Sequence, residues 1–411
     1  MKENENKENI TAPAGDKSQE GMTFWQGFRR RAIITALAFL IVGFYASVAL
    51  NLKIFNPVSK AVSDYSITDF YYDILATGEK DTSNITTIVD MTDLPDRRAL
   101  AMALEQVNDC HPKALGVDVV FEGLKEDSLG DQMIREVAYA QPKTVFSYKL
   151  IDDSFENDDK SYHQTMRSFF ANPDSITQGF TNMPRNLYGG LKRQLSLGAY
   201  LDDELVPSLV KKVADTYAGA ETVPLADRNI RINFRPMEYR VVPPDSIEEY
   251  RDLIEDHVVL FGAMREEADM HYTPEGKIAG VKLLAYAIET LIKHNEVKEV
   301  PLWLNWVICF VVVLFTLTVL DIYDRWALKR SPLIKVLCRS VLVKGFVRFG
   351  CIALFMYFAL LLFGVYNISL NLAVALTAIA FTVSATNLHD SLKQHFDNKK
   401  KAREEKLLQQ V

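Results

Sequence analysis

The sequence predicts an α/β protein in a membrane: an extracytoplasmic domain with a mostly parallel sheet flanked by helices, plus four transmembrane helices. Two observations lead to this fold class. Four long apolar stretches, residues 32–50, 302–320, 349–365 and 368–386, frame one polar segment, residues 53–301. Within that segment, short apolar runs alternate with stretches in which apolar residues recur at helical spacing, which is typical of a parallel sheet with helices on both sides.

Each apolar stretch is close to the length that a helix needs to cross a bilayer, about 20 residues. Backbone polar groups cannot remain unpaired in lipid, so helices are the expected structure. Only Tyr366 and Asn367 separate the last two stretches, which predicts a tight hairpin. The first stretch could instead be a cleaved signal peptide ending near Ser47-Val48-Ala49. The long preceding tail and the length of the apolar run favour an uncleaved anchor.

Lys and Arg residues predict the orientation, because they are enriched in cytoplasmic segments. Basic clusters occur at 29–31, in the loop 321–348 and in the tail 387–411. We therefore expect both termini in the cytoplasm and residues 53–301 outside it. Cys110 is the one cysteine of that segment, so no intrachain disulfide can form there, which suits the periplasmic side of a bacterial inner membrane. Residues 1–31 are polar and we expect them to be a disordered cytoplasmic tail.

The elements of the polar segment follow from its hydrophobic patterns. Residues 152–185 interrupt the alternation and predict an insertion or a lid-like excursion. The last predicted helix leads through Pro301 directly into the second apolar stretch. The predicted strands are 84–90, 114–121, 144–148, 229–234 and 257–262, and the predicted helices lie near 100–107, 131–139, 205–217, 247–255 and 281–293.

Acidic residues near strand ends give the candidate site. Ligands of open α/β sheets bind beyond the carboxyl ends of the strands, where Asp90, Asp93 and Asp269 are expected. Asp118 falls within a predicted apolar strand, next to the strand that ends at Asp90, and a carboxylate there needs a partner. Arg97 is a plausible partner for Asp90 or Asp118.

Two interpretations of this cluster remain open. It forms a pocket for a small ligand or cation, or it forms a structural Asp–Arg network, and the structural interpretation is favoured. Thr273, followed by Pro274, predicts a braced loop next to Asp269. The candidate ligand-binding residues are Asp90, Asp93, Arg97, Asp118, Asp269 and Thr273.

The sequence contains no motif of a known catalytic class. Nucleophile elbows, phosphate-binding loops, zinc-protease motifs and cysteine pairs are absent, and His271 has no second histidine at ligand spacing. We therefore expect no catalytic residue, no metal, no cofactor and no enzymatic activity. No basic stripe with interleaved aromatic residues occurs, so nucleic acid is not an expected partner.

Several of these residues resemble a known family. The run 260–263 followed by Asp269, Thr273-Pro274, Gly280-Val281 and Ala285 resembles the closing signature of the type-two CHASE domain. Val89-Asp90, Arg97 and 116–121 resemble its opening block, and 232–236 resembles its middle strand. The sequence departs from the family at 93–96, in place of Trp-Pro-Trp, and at Leu284, in place of histidine. The resemblance implies an extracellular sensory domain and helices that lead towards a cytoplasmic output.

The expected function is that of a membrane-anchored sensor. Its expected partners are the lipid bilayer, an unknown small ligand or periplasmic protein, and a separate cytoplasmic signalling or effector protein, because little sequence follows the fourth apolar stretch. The alternative is a structural subunit of a cell-envelope complex that senses nothing. A sensor should have a partly polar concave pocket, whereas a scaffold should have an exposed docking face.

Overall fold

The computed structural model describes residues 23–51, 67–76, 78, 80–141, 143–151, 162–172, 174–184 and 190–408. These residues form two compact units. The sheet unit contains the described residues from 67 to Glu299, together with Leu362–Ser369. The helical unit contains 23–51, Val300–Leu361 and 370–408. Residues 1–22 of the expected disordered tail 1–31 and the start of the expected excursion, 152–161, lie outside the described residues. The expectation of disorder is wrong for residues 24–31, which form the beginning of α1.

The strands are short apart from β1 and β3. In chain order they are β1 (Asp81–Asp90), β2 (Ala114–Val117), β3 (Thr144–Ile151), β4 (Gln164–Met166), β5 (Gln178–Phe180), β6 (Gln194–Ser196), β7 (Gly198–Leu201), β8 (Glu204–Pro207), β9 (Asn229–Arg231), β10 (Met237–Val242), β11 (Val258–Gly262), β12 (Met270–Thr273), β13 (Gly276–Ala279), β14 (Lys298–Glu299) and β15 (Ile368–Ser369).

The α-helices include several that are much longer than the others. In chain order they are α1 (Phe24–Asn51), α2 (Ile67–Ala76), α3 (Arg97–Asp109), α4 (Ser128–Ala140), α5 (Leu209–Ala218), α6 (Gly280–Ile292), α7 (Leu302–Leu328), α8 (Pro332–Arg339), α9 (Val341–Tyr366), α10 (Ala373–Ala380) and α11 (Thr382–Leu408). Among the described residues, short 3-10 turns lie at Pro244–Ser246, Arg251–Leu253 and Glu267–Asp269.

The central sheet is mostly parallel, as predicted. Its strand order is β10-β1-β11-β2-β3-β4, and β5 also pairs with β3. All of these pairs are parallel except β3 with β4. The remaining strands form separate two-stranded sheets. Since the strands β1, β11 and β2 are parallel neighbours, their carboxyl ends meet at one edge of the sheet.

Helices cover both faces of the sheet because successive strand residues point to opposite sides. Ile88 and Leu260 belong to a core cluster with residues of α5 and α6. Their chain neighbours Val89 and Phe261 belong to a second cluster with residues of α3 and α4. These strand residues are fully buried, and the burial of such side chains stabilises a fold by about 1.5–3 kcal/mol each. The fold class predicted for this segment is confirmed.

Two predicted elements differ clearly from those observed, and a strand of the central sheet was not predicted. The strand predicted over 114–121 ends at Val117, because the Asp118 amide donates to the Phe261 carbonyl and the chain then leaves the sheet. The helix predicted over 247–255 is instead a series of turns, one of which is Arg251–Leu253. The turns end before Asp256, whose φ of 58° lies in the left-handed region. Strand β10 was not predicted, because it lies between prolines and alternates polar with apolar residues only in part.

Among the described residues, three helices are long and apolar enough to cross a membrane: α1 (24–47), α7 and α9. The fourth apolar stretch, 368–386, is not the single helix that was expected. It contains β15, α10 and, after a break at Phe381, the start of α11. The amides of Phe381 and Ala385 still donate to Thr377 and Phe381 carbonyls, so backbone hydrogen bonds continue around the break. The second half of α11 is exposed and strongly charged.

Polar contacts link helices within the helical unit. Arg30 pairs with Asp390 at 3.2 Å, and Arg31 pairs with Asp321 at 2.9 Å. Lys344 pairs with Asp324 at 2.8 Å. These pairs connect α1 to α11, α1 to α7 and α9 to α7. The segment 321–348, expected to be a loop, is largely helical, because α7 extends to Leu328 and α9 starts at Val341.

Candidate functional site

The order of the strands places the candidate carboxylates at the carboxyl edge of the sheet. Asp90 ends β1 and lies opposite Gly262, the last residue of β11. Asp118 follows β2, whose Val117 lies opposite Phe261. Strand β11 therefore lies between β1 and β2, and the expectation that Asp90 and Asp118 come from neighbouring strands is wrong. The sequence pattern did not reveal that a strand from much later in the chain is inserted between them.

The Asp90 carboxylate fixes the loops that follow β1 and β11. It accepts hydrogen bonds from the amides of Thr92 at 3.0 Å and Met264 at 3.1 Å, and from Arg265 Nε at 3.3 Å. Burial opposes ionisation, but these hydrogen bonds and the Arg265 charge outweigh it and hold the pKa of Asp90 below its usual value. Arg265 also pairs with the exposed Asp93. The hydrogen bonds of the Asp90 carboxylate are thus made to groups of the protein, which agrees with a structural role.

Arg97 has different partners from those expected. Its guanidinium forms a buried ion pair with Asp131 of α4 and donates to the Glu122 carbonyl at 3.0 Å. The ring of Phe169 lies 4.9 Å from the guanidinium carbon. The expected pairing with Asp90 or Asp118 is therefore corrected. Because Arg97 opens α3, this pair ties the first turn of α3 to α4.

Asp118 has a different environment from Asp90. Its backbone amide donates to the Phe261 carbonyl, but its carboxyl group forms no hydrogen bond or ion pair with the described residues, and its Cβ lies close to Gly262. Burial, and secondly the charge of Asp269, raise the pKa of the Asp118 carboxyl to about 7, while Lys149 and His271 act in the opposite direction. This carboxyl can therefore exchange a proton close to neutral pH.

Asp269 and Thr273 lie around the β12–β13 hairpin. The Asp269 carboxylate packs against the Gly280 backbone at the start of α6 and lies 3.4 Å from His271 Nε2. Thr273 Oγ1 donates to the Gly276 carbonyl at 3.0 Å and accepts from the Glu275 amide. Thr273 thus braces a turn, in agreement with the structural interpretation of this motif.

Residues 35–320 match the family of the CHASE2 domain, and the match covers most of the chain. The chain belongs to the CHASE2 family. CHASE2 domains are extracellular sensory domains. Comparison with curated proteins and with solved structures found no match.

The six candidate residues of this CHASE2 protein do not form one pocket lining. Asp90 and Asp93 share Arg265, Arg97 pairs with Asp131, and Thr273 braces a hairpin. Asp118 and Asp269 interact electrostatically with each other. No group of three or more His, Cys, Asp or Glu side chains among the described residues is arranged to hold a metal ion. Whether any of the six binds a ligand stays a prediction.

A concave site lies elsewhere on the CHASE2 sheet unit, along its edge strand β10. Its volume is about 310 Å³, and its lining includes Lys80, Tyr239 and Lys282. Sequence reasoning missed this site because its residues come from four separated segments and match no motif. The sequence around Lys80 is polar and gives no signal for this site.

A second feature that the sequence did not reveal is the packing of the hairpin Leu362–Ser369 into the sheet unit. Phe363 is fully buried, with its ring 5.1 Å from that of Tyr71 and 5.5 Å from that of Tyr72. Arg235 Nη2 donates to the Gly364 carbonyl at 2.7 Å and to Asn367 Oδ1 at 3.1 Å.

Backbone pairing completes the attachment of this hairpin. Strand β15 pairs in parallel with β14, and the Lys298 amide donates to the Asn367 carbonyl at 2.8 Å. Asn233 Nδ2 donates to Asn367 Oδ1 at 3.2 Å. Asn367 has a φ of 55°, in the left-handed region that asparagine tolerates. The hairpin is therefore held by aromatic packing, side-chain hydrogen bonds and strand pairing together.

Proposed function

We propose that this CHASE2 protein is an inner-membrane sensor without enzymatic activity of its own. Binding of a ligand or a periplasmic protein outside the cell changes the sheet unit, and the change passes through the helices to a separate cytoplasmic protein. In this proposal four segments cross the bilayer, the fourth with a bend at Phe381, and both termini are cytoplasmic. The basic clusters near 29–31, 321–348 and 387–411 support this orientation.

One observation carries the relay: the hairpin Leu362–Ser369 belongs to the sheet unit. Its residues 362–366 form the C-terminal end of α9, which is one of the three apolar helices among the described residues, and the chain after Ser369 leads through α10 into α11. A change in the sheet unit that shifts Arg235 or Phe363 acts directly on this hairpin, since both contact it or form part of it. The hairpin is therefore the transmitting element in our proposal.

The second link is the junction between β14 and α7. Only Val300 and Pro301 separate the end of β14 from the start of α7. Strand β14 leads into α7, and β15 leads into α10. Because β14 pairs with β15, one strand pair joins the starts of both segments. With no long linker to absorb a displacement, a change at this strand pair should reach both segments together.

The proposed output is the exposed half of α11. Its residues from 391 to 408 are all exposed and include a run of lysines at 399–401. An exposed charged helix that continues from an apolar segment offers a contact surface for a cytoplasmic protein.

Site-specific photo-crosslinking in intact cells tests this proposal. A photoreactive amino acid at Lys400 should capture a cytoplasmic protein, and the substitution Arg235→Ala should change the yield of that adduct. A matched probe at Lys143, an exposed residue of the sheet unit, captures partners on the extracytoplasmic side of the membrane. If Lys400 captures nothing while Lys143 captures envelope proteins, the relay is wrong and the protein is a structural subunit of an envelope complex.

A further inference from the structure

The groove along β10 combines an apolar wall with two ammonium groups. Met237, Val241 and Met264 and the ring of Tyr239 form part of its lining. Its volume, about 310 Å³, falls at the lower end of the usual range for small-molecule sites, about 300–1,000 Å³. Methionine side chains are flexible and polarisable, and they adapt to ligands of different shape. The groove thus suits the apolar part of a small organic molecule.

The two lysines of the groove have hydrogen-bonding capacity to spare. Lys80 Nζ and Lys282 Nζ lie 3.5 Å and 2.9 Å from the same oxygen of Glu275. An ammonium has three N–H donors, so a single carboxylate oxygen cannot satisfy both groups. The side chain of Glu275 is buried, whereas those of Lys80 and Lys282 are 42% and 21% exposed. The unused donors are therefore accessible to an anion in the groove.

Tyr239 supplies an independent observation. The residue is 6% exposed, and its hydroxyl is buried without a hydrogen-bond partner among the described residues. Buried polar groups in folded proteins are nearly always paired, so such a hydroxyl requires an explanation. A ligand acceptor in the adjoining groove provides one. Burial, and then the charges of Glu289 and Glu275, raise the pKa of Tyr239 well above its usual value, so the hydroxyl stays a donor at all physiological pH values.

We infer that the β10 groove binds a small organic monocarboxylate. The carboxylate contacts the ammonium groups of Lys80 and Lys282, and the apolar body lies against Met237, Val241 and Met264. Glu238, which also lines the groove, opposes a second negative charge, so a monocarboxylate fits better than a dicarboxylate or a phosphate. Binding of a monocarboxylate in the groove does not depend on the proposed function. Only the idea that this binding starts a signal rests on that function.

Met264 connects the groove to the carboxyl edge of the sheet. Its side chain lines the groove, and its amide donates to Asp90. A ligand that displaces Met264 therefore acts on the loop that Asp90 and Arg265 hold. This gives the groove a route to the sheet edge without any ligand contact with Asp90 itself.

Ligand-observed NMR on the full chain in lipid nanodiscs, with empty nanodiscs subtracted, tests the inference. The probe is benzoate, with its neutral analogue benzamide and the dicarboxylate phthalate as comparison ligands. We expect saturable benzoate binding that exceeds binding of both other ligands. The substitutions Lys80→Gln and Lys282→Gln should each weaken benzoate binding at least tenfold, whereas Lys143→Gln, an exposed lysine outside the groove, should not change it.

Two outcomes overturn the inference. One is the absence of saturable benzoate binding to a folded chain, and the other is binding that the lysine substitutions leave unchanged. Thermal unfolding of each variant shows whether it is folded, and Tyr239→Phe, which keeps the ring, should weaken binding in a folded protein. Hydrogen exchange of residues 382–408 separates this inference from the proposed function. Benzoate binding with unchanged exchange supports the site and contradicts the relay.

Discussion

The protonation of Asp118 makes the stability of the sheet unit depend on pH. The pKa of its carboxyl rises from 3.8 to about 7 on folding, chiefly through burial. Each pKa unit corresponds to about 1.4 kcal/mol, so the upper limit of the effect is about 4 kcal/mol. Because Asp118 keeps some contact with solvent, screening reduces this figure, and we expect roughly 1–3 kcal/mol.

The sign follows from the raised pKa. The folded state binds the proton more tightly than the unfolded state, so this contribution is complete below pH 4 and is lost as the pH rises to about 7. Asp118→Asn keeps the shape and removes the charge. The variant should be more stable than the parent protein at pH 8, by about 2–4 °C in Tm for each kcal/mol, and its advantage should shrink at pH 5.

Thermal unfolding of the full chain in nanodiscs measures this dependence. It is followed by far-ultraviolet circular dichroism at pH 5, 6, 7 and 8. The control is Asp252→Asn, an exposed aspartate in a turn of the same unit. The control should leave the pH dependence as in the parent protein. A variant Asp118→Asn that is equally or less stable at pH 8 would refute the assignment of a buried, proton-binding carboxyl.

Three further substitutions test the packing. Phe363→Ala should destabilise the sheet unit by about 3–5 kcal/mol in chemical denaturation, because it removes a fully buried ring; a smaller loss than about 1 kcal/mol would contradict its place in the core. Arg97→Met leaves Asp131 buried without its partner and should cost about 3–5 kcal/mol at pH 7, with partial recovery in Arg97→Met/Asp131→Leu. Gly280→Ala should destabilise the protein by about 1–3 kcal/mol and Asp269→Ala should restore it; additive losses would exclude their contact.

The sequence was sufficient to predict the parallel sheet because hydrophobic periodicity reports local structure. The run that became β1 is rich in β-branched residues, and those that became β3 and β11 are largely apolar. The helix α6 has apolar residues on nearly every side, as expected for a buried helix. Strand β10 was missed because an edge strand carries a weaker pattern. The turns before β11 have helical composition but are limited by the prolines before them and by Asp256 after them.

The candidate site was harder to predict, since it depends on which strands become neighbours. The acidic residues were correctly placed near strand ends, but the insertion of β11 between β1 and β2 separates Asp90 from Asp118. Arg97 pairs with Asp131, which no pattern connects to it. Attachment of Leu362–Ser369 to the sheet unit is likewise a long-range contact, so periodicity carries no information about it.

Hydrogen exchange on the full chain in nanodiscs shows whether Leu362–Ser369, which includes the end of α9, passes a change in the sheet unit to α11. Arg235→Ala removes its contacts with Gly364 and Asn367, and Arg228→Ala, which breaks an exposed ion pair with Glu296, is the matched control. We predict faster exchange in Leu362–Ser369 and altered exchange in α11 for Arg235→Ala alone. Faster exchange in the hairpin with an unchanged α11 would contradict the relay.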